Sequence, residues 1–200
     1  METLKDFIAR NTTYKKDRDV DPSLIEKYRD VLPAEILYIW ENYGFGTFEN
    51  GFIRFVDPEA YNSLLGYCDI YLEPTIVFGV TALGDLLVWE GNKNATVAQN
   101  EGNRYAVFLF RKGKKEILGT RPFVINRKIG DREFIEDKDY FDASVYFKIA
   151  EAERERLAID ESFGFSPLPA LGGKEKVENI KIVKTKEYLD MIGQMVGQVG

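Results

Sequence analysis

Residues 32–55, with the sequence LPAEILYIWENYGFGTFENGFIRF, constrain the fold more than any other segment because they predict three connected elements. Apolar residues recur at helical spacing up to Tyr43, and Pro33 suits the first position of a helix. Gly44 stands where a residue with positive φ commonly ends a helix. A short aromatic turn between Gly46 and Gly51, followed by a strand, is expected next. The segment therefore predicts a helix with one buried face that leads directly into a β-sheet.

The following part of the chain predicts strands that pair with their neighbours in sequence. Apolar and β-branched residues indicate strands at 75–80, 85–89 and 105–110, and glycine-containing turns separate them. An antiparallel meander is therefore expected.

Two different patterns come after this sheet. Residues 111–130 are basic and rich in turn residues, which favours a boundary between two sequence modules near Gly119. Residues 131–160 predict a turn and then one long helix. The apolar side of that helix would carry Phe141, Val145, Ile149 and Ala152.

The composition excludes several classes of function. The chain has no histidine, the side chain most used for general acid–base catalysis and for binding zinc or copper. The net charge of −6 disfavours a nucleic acid as a direct partner, because such binding depends on cationic contacts with phosphates. We therefore expect a protein without catalytic activity, metal or cofactor, whose partner is basic.

The sequence also shows no disulfide framework, signal peptide or membrane-spanning segment. Its single cysteine, Cys68, excludes an internal disulfide framework and fits a reducing compartment, and no basic neighbour would lower its pKa. The first residues show no signal-peptide core, and no apolar run is long enough to span a membrane. A cytoplasmic location is expected.

Three aspartates have the spacing that opens a calcium-binding loop. Asp17, Asp19 and Asp21 alternate as such ligands do, but Pro22 stands where the loop needs glycine and Tyr28 where it needs glutamate. A solvated turn in which Asp21 caps a helix is the preferred interpretation.

Three stretches resemble domains of bacterial immunity proteins. The first is the helix end and turn that contain Trp40, Tyr43, Gly44, Gly46, Phe48 and Gly51, which resembles SUKH-like and GAD-like domains. In the second, FGVTALGDLLVWE, Gly84 and Asp85 match a closely similar stretch of the GAD-like sheet. The third, F-x-P-x-x-A-L-G-G followed by V-E-N, resembles the C-terminal domain of immunity proteins that protect bacteria from type VI secretion DNases.

The resemblance implies a fold and an order of domains. An α+β protein is expected, with helices packed on an antiparallel sheet in the SUKH-like manner and a smaller, mainly helical C-terminal module. The predicted division is a GAD-like domain over 1–119 and an immunity-type domain over 120–200.

The resemblance also implies a function. An immunity protein binds a cognate toxin and blocks it stoichiometrically, and the C-terminal match favours a basic nuclease, a type VI secretion DNase, as that toxin. A small-ligand-binding regulatory module remains the alternative, with the glycine and aromatic turn as its pocket.

A cluster of acidic residues is the predicted partner-binding surface. Such carboxylates could occupy a cationic nuclease cleft, although a solvated face or neutralisation by the basic residues 111–130 would explain the charge equally. The residues are Asp131, Glu133, Glu136, Asp137, Asp139 and Asp142.

A second candidate site serves the alternative function. Aromatic side chains could stack a flat ligand, and paired glycines could expose backbone N–H groups to a phosphate, although core packing and a simple turn explain both features. The residues of this candidate pocket are Trp40, Tyr43, Phe48, Gly172 and Gly173.

Overall fold

A seven-stranded antiparallel sheet forms the centre of the protein, and its strands are ordered as they occur in the chain. The computed structural model describes residues 13–70, 72–91, 102–120 and 124–200. The expected meander is confirmed and includes more strands than the sequence predicted. The strands are β1 (Lys15–Arg18), β2 (Phe45–Phe48), β3 (Ile53–Phe55), β4 (Thr75–Thr81), β5 (Leu86–Glu90), β6 (Arg104–Leu109) and β7 (Lys114–Gly119).

Short helices and a second, two-stranded sheet surround the large one. The α-helices are α1 (Pro22–Tyr28), α2 (Ala34–Tyr43), α3 (Pro58–Tyr61), α4 (Arg132–Glu136), α5 (Ser144–Phe147), α6 (Glu151–Glu155) and α7 (Thr185–Val196). The small sheet pairs β8 (Glu161–Phe165) with β9 (Ile180–Lys184). A 3-10 helix at Asn62–Tyr67 follows α3, and a π-helical turn at Ile125–Ile129 precedes α4.

The two faces of the large sheet carry separate clusters of buried apolar side chains. Because side chains alternate along a strand, Phe78 and Val77 of β4 belong to opposite faces. The first face packs against α1, α2 and residues 124–149. The second face packs against α3, the 3-10 helix that follows it, and α7. Helices therefore cover both faces, and the predicted α+β fold is confirmed.

Residues 32–55 largely adopt the predicted helix, turn and strand. Helix α2 ends at Gly44, whose φ of 77° and ψ of −163° are accessible essentially to glycine alone. A Cβ atom there would also collide with the carbonyl oxygen of Arg18 in β1. The predicted aromatic turn is displaced, however, because residues 45–48 form β2 and the turn falls at Glu49 and Asn50, which have positive φ.

The prediction of one long helix after residue 131 is wrong, since the chain forms α4, α5 and α6 there. Asp137 ends α4 in an extended conformation, and its carboxylate accepts a hydrogen bond of 2.9 Å from the Asp139 N–H. Asp142 then has a φ of 49°, and Ala150 is extended before α6. These local side-chain hydrogen bonds and bends interrupt the helix and divide it into three short ones. The apolar residues still reach the first face: Phe141, Val145 and Ile149.

The basic residues 111–130 contribute to the large sheet. Residues 114–119 form β7, which pairs with β6 along its length. Leu118, Val124 and Ile125 are buried in the first-face cluster. Both clusters contain residues from before and after Gly119, so the two predicted sequence modules pack around one sheet. The division at 119 stays a prediction about the sequence.

The C-terminal region contains the predicted helices and also the β8–β9 hairpin, which the sequence analysis did not predict. Helix α7 follows β9 directly, and its Tyr188 hydroxyl accepts a hydrogen bond of 2.9 Å from the Phe165 N–H of β8. No helix in the described part of the chain is long and apolar enough to cross a bilayer. The spacing of Leu4, Phe7 and Ile8 predicts a short amphipathic segment at the start of the sequence, and these residues lie outside the described part of the chain.

Candidate functional site

Arg54 of β3 is a buried cation that joins the large sheet to the residues around β8. Its side chain is 1% exposed, and burial lowers the pKa of the guanidinium to about 10, so the group stays protonated at neutral pH. Its terminal nitrogens donate to neutral oxygens, at 3.2 Å to the Ile159 carbonyl and 2.8 Å to Ser162 Oγ. The remaining acceptors are the carbonyl oxygens of Thr81, Ala158 and Glu161. The Nε of Arg54 has no acceptor among the described residues.

A cleft of about 460 Å³ lies above Arg54, between the β1 edge of the large sheet and the segment 151–159. Its charged lining comes from both sides: Lys15, Lys16 and Asp17 of β1, and Glu151, Arg154 and Glu155 of α6. Lys15 Nζ lies 2.8 Å from Glu155 Oε1 and so links the two walls. Asn50 and Gly51, from the turn before β3, also line the cleft.

Arg154 is the second guanidinium of this cleft. Its Cζ lies 5.4 Å from the ring centre of Tyr146 and 5.8 Å from that of Phe147. Its Nε is buried and has no acceptor among the described residues, as is also true of Arg54. The Tyr146 hydroxyl donates a 2.6 Å hydrogen bond to the Asn50 carbonyl, which fixes the ring between the turn and α6.

The glycine–aspartate motif of the second resemblance forms a buried turn between β4 and β5. Thr81 Oγ1 donates to Asp85 Oδ2 at 2.9 Å and accepts from the Asp85 N–H at 3.0 Å. Gly84 has a φ of 84°, and a Cβ there would lie 3.0 Å from Leu189 of α7. Burial raises the pKa of Asp85, while the nearby Arg111 guanidinium opposes that rise. The motif therefore stabilises the β4–β5 turn and packs closely against α7.

Arg111 connects this motif to the C-terminal region. Its Nε lies 3.7 Å from Asp85 Oδ1, and both side chains are fully buried. Its terminal nitrogens contact the Glu175 carboxylate and the Phe141 carbonyl oxygen. Glu175 follows the L-G-G turn of the third resemblance. One buried cation thus joins the motifs of both resembled domains.

The acidic residues predicted to bind a partner occupy α4 and the loop after it. Asp131 caps α4 by accepting a 3.1 Å hydrogen bond from the Phe134 N–H, and Glu136 pairs with Arg132. Asp142 lies 3.3 Å from Lys112 Nζ, which comes from the basic segment. The exposed carboxylates are those of Asp131, Glu133, Asp137 and Asp139, which we call the acidic surface.

The basic segment neutralises this region only in part. Lys112 and Lys114 donate to the backbone carbonyls of Lys138 and Asp139, at 2.8 and 2.9 Å. Among the described residues, none of the four carboxylates of the acidic surface forms an ion pair. The basic lysines therefore hold the loop backbone and leave four acids facing solvent.

The predicted aromatic pocket is part of the hydrophobic core. Trp40 is 2% exposed, and its ring centre lies 5.4 Å from that of Phe45. Phe48 is also 2% exposed and stacks on Phe55 at 5.2 Å. Tyr43 is half-buried beside Tyr14, with ring centres 5.5 Å apart. The three aromatic residues pack on the first face and do not line the cleft.

The paired glycines lie on the other side of the large sheet. Gly172 and Gly173 donate their N–H groups to the carbonyls of Pro169 and Leu168, at 2.9 and 3.0 Å. Leu168 belongs to the second-face cluster, whereas Trp40 and Phe48 belong to the first. The five residues of the candidate pocket therefore do not meet, and the glycine N–H groups are already bonded within a turn.

Two smaller predictions agree with the structure. Asp21 caps α1 by accepting a 2.8 Å hydrogen bond from the Ser23 N–H, as expected for a helix start. Cys68 is buried, and burial raises the pKa of its thiol to about 12, which disfavours the reactive thiolate at neutral pH.

Two parts of the chain match models of known protein families. A model of the GAD-like domain matches residues 2–101, half of the chain. The chain belongs to the GAD-like family. A second model, that of the C-terminal region of the type VI secretion system immunity protein Tdi1, matches residues 126–196 of this GAD-like protein. Both predicted domain families are confirmed, and together they support an immunity-protein role.

The fold of the GAD-like protein also occurs in a solved structure. The crystal structure of Atu4351 from Agrobacterium tumefaciens superimposes with a TM-score of 0.71 and covers 96% of this chain and 89% of its own. The two sequences are 19% identical, so this likeness shows the fold alone. No curated protein sequence matches the chain significantly.

Proposed function

We propose that this GAD-like protein is an immunity protein that binds a cognate bacterial toxin in the cytoplasm and occludes it stoichiometrically. A DNase delivered by type VI secretion is the toxin that we favour. The observation that carries the proposal is the match of residues 126–196 to the Tdi1 C-terminal model, behind a GAD-like domain. Inhibition by binding requires a complementary surface and no chemistry by the inhibitor.

The acidic surface supports a basic partner. A DNase must hold phosphates with cationic side chains, and carboxylates placed where phosphates would lie compete directly for that cleft. Asp131, Glu133, Asp137 and Asp139 are exposed on one helix and its following loop. By contrast, the carboxylate of Glu90 in β5 is buried and pairs with Arg104 and Lys115, so it is not accessible to a partner.

The carboxylates of this surface stand on a fixed scaffold. Ile135 and Phe141 are fully buried beneath it, and Asp131 and Asp137 hold their own backbone through side-chain hydrogen bonds. The lysines 112 and 114 secure the loop from outside. A surface that is ordered before binding loses less conformational entropy on association, which favours high affinity.

Neutral, isosteric substitutions test this surface while keeping its hydrogen bonds. Glu133→Gln, Asp137→Asn and Asp139→Asn together should weaken binding to the toxin encoded beside the gene and abolish protection of cells. The amide oxygen introduced at position 137 can still accept the hydrogen bond from the N–H of residue 139, so the melting temperature should change little. Affinity is measured by calorimetry against a catalytically inactive toxin.

A matched triple variant controls for the loss of charge itself. Asp30→Asn, Glu178→Gln and Glu187→Gln remove three exposed carboxylates elsewhere and should leave affinity within a few-fold of the parent. Equal binding by both triple variants would exclude the acidic surface as the interface. Failure of the unmodified protein to bind or protect against that toxin would contradict the proposed function.

A further inference from the structure

Two guanidinium groups without a carboxylate partner meet one cleft. The Nη atoms of the buried Arg54 bond to carbonyl and hydroxyl oxygens, and the half-buried Arg154 lies against the rings of Tyr146 and Phe147. Within the described residues neither forms an ion pair, although both line the cleft above β3. Cations that are withdrawn from water and lack a counter-charge are costly and are uncommon away from binding sites.

The two cations flank the same side chain. Both guanidinium charges act on Tyr146 and partly offset the rise that burial causes in its pKa. Each also has a buried Nε–H without an acceptor among the described residues. The contact of Arg154 with the aromatic rings stabilises its planar face but does not satisfy an in-plane N–H donor. Two buried N–H donors at the cleft therefore lack an acceptor among the described residues.

The carboxylates of the cleft do not cancel this charge. Glu155 pairs with Lys15 at 2.8 Å, and Asp17 and Glu151 are exposed at the rim. Rim charges are screened by solvent, whereas charges at a buried floor act through a lower effective dielectric constant. Asp160 and Glu161 also act on Arg54, but both are ion-paired with Lys184 and neither forms an ion pair with Arg54 among the described residues, so they offset its charge only in part.

We propose that this cleft binds a small ligand through an oxyanion, a carboxylate or phosphate group, which accepts a hydrogen bond from Arg154 above the buried Arg54. The volume of about 460 Å³ falls within the range of small-molecule sites. Planar guanidinium donors match the geometry of both oxyanions. None of the five residues of the candidate pocket lines this cleft, although Gly51 of the predicted glycine and aromatic turn does. The site adds a ligand to the proposed toxin-binding role.

NMR spectroscopy of the full chain can follow the arginine Nε–H signals, which report on the site directly. Inorganic phosphate and citrate are titrated separately at constant ionic strength, which distinguishes a phosphate site from a carboxylate site. One of them should shift the Nε–H signals of Arg154 and Arg54 along a saturable curve. Shifts absent for both anions, or linear and equal at all arginines, would overturn the proposal.

A substitution on α6 and a neighbouring control complete the test. Arg154→Gln should weaken binding of the active anion at least tenfold. Arg156→Gln removes an exposed guanidinium that pairs with Glu153 at 3.5 Å outside the cleft, and it should bind like the parent. If Arg154→Gln unfolds, Arg154→Lys keeps the charge and removes the Nε donor. Unchanged affinity in the folded Arg154 variant would contradict the assignment.

Discussion

Arg111 stabilises contacts between three segments of the chain. It lies 3.7 Å from Asp85, pairs with Glu175 and donates to the Phe141 carbonyl oxygen. Arg111→Met should lower the free energy of unfolding by about 3–5 kcal/mol, because it leaves the buried Asp85 carboxylate without its cation. Arg29→Met removes an exposed pair with Glu26 and should cost at most about 1 kcal/mol. Urea denaturation of both variants measures the difference.

The pH dependence of the Arg111→Met effect identifies Asp85 as its cause. Burial already raises the pKa of Asp85, and loss of Arg111 removes the interaction that opposes that rise. A carboxyl group with a raised folded pKa contributes stability below its unfolded pKa of about 3.9 and loses that contribution as pH rises through the folded pKa. The destabilisation should therefore shrink in acid. An equal difference at neutral pH and near pH 4 would contradict this explanation.

At the scale of elements, Gly44 sets how α2 enters β2. Gly44→Ala forces a Cβ into the Arg18 carbonyl at a backbone geometry that other residues rarely adopt. Gly172 also has a positive φ, of 82°, but open space surrounds it. Gly44→Ala should thus destabilise by more than the about 1–2 kcal/mol expected for Gly172→Ala. Thermal melts of the two variants compare them, and equal losses would show that the contact with β1 is unimportant.

The elements that were predictable are those with local signals. The helix before Gly44 and strands β4 to β6 follow from apolar periodicity and from glycines with positive φ. The prediction of one long helix was wrong because the Asp137 carboxylate accepts a hydrogen bond from the Asp139 N–H and so favours a turn. The spacing of apolar residues does not reveal such a bond. Strand β1 is exposed along its whole length and so carries no alternating pattern.

The candidate sites were harder to predict than the fold. Acidic residues clustered in sequence could be found directly, since α4 and its loop keep them together. The cleft could not be predicted from the sequence, because Arg54 and Arg154 come together only through tertiary packing. The one local signal was Arg54 itself, a charged residue between the apolar residues of β3. Such a residue is typical either of a buried hydrogen-bond network or of an exposed strand face.

At the scale of the whole molecule, packing joins the two sequence modules. Residues 124–149 cover the first face of the large sheet, and α7 covers the second. A chain of residues 1–119 would keep α1 to α3 but expose the parts of both faces that residues 124–149 and α7 cover, so it should aggregate or remain unfolded. The full chain should melt in one transition. Calorimetry and expression of the shortened chain test this. A soluble 1–119 fragment with near-full stability would show two independent domains.

As proposed above, this GAD-like protein neutralises a toxin by binding it in fixed proportion. In the test, the protein is titrated into the DNase toxin that the neighbouring gene is expected to encode, and DNA cleavage is followed. Nuclease activity should fall linearly and disappear at one equivalent of inhibitor, because each bound molecule occludes one active site. Full cleavage in the presence of excess protein, or loss of activity at far less than one equivalent, would contradict it.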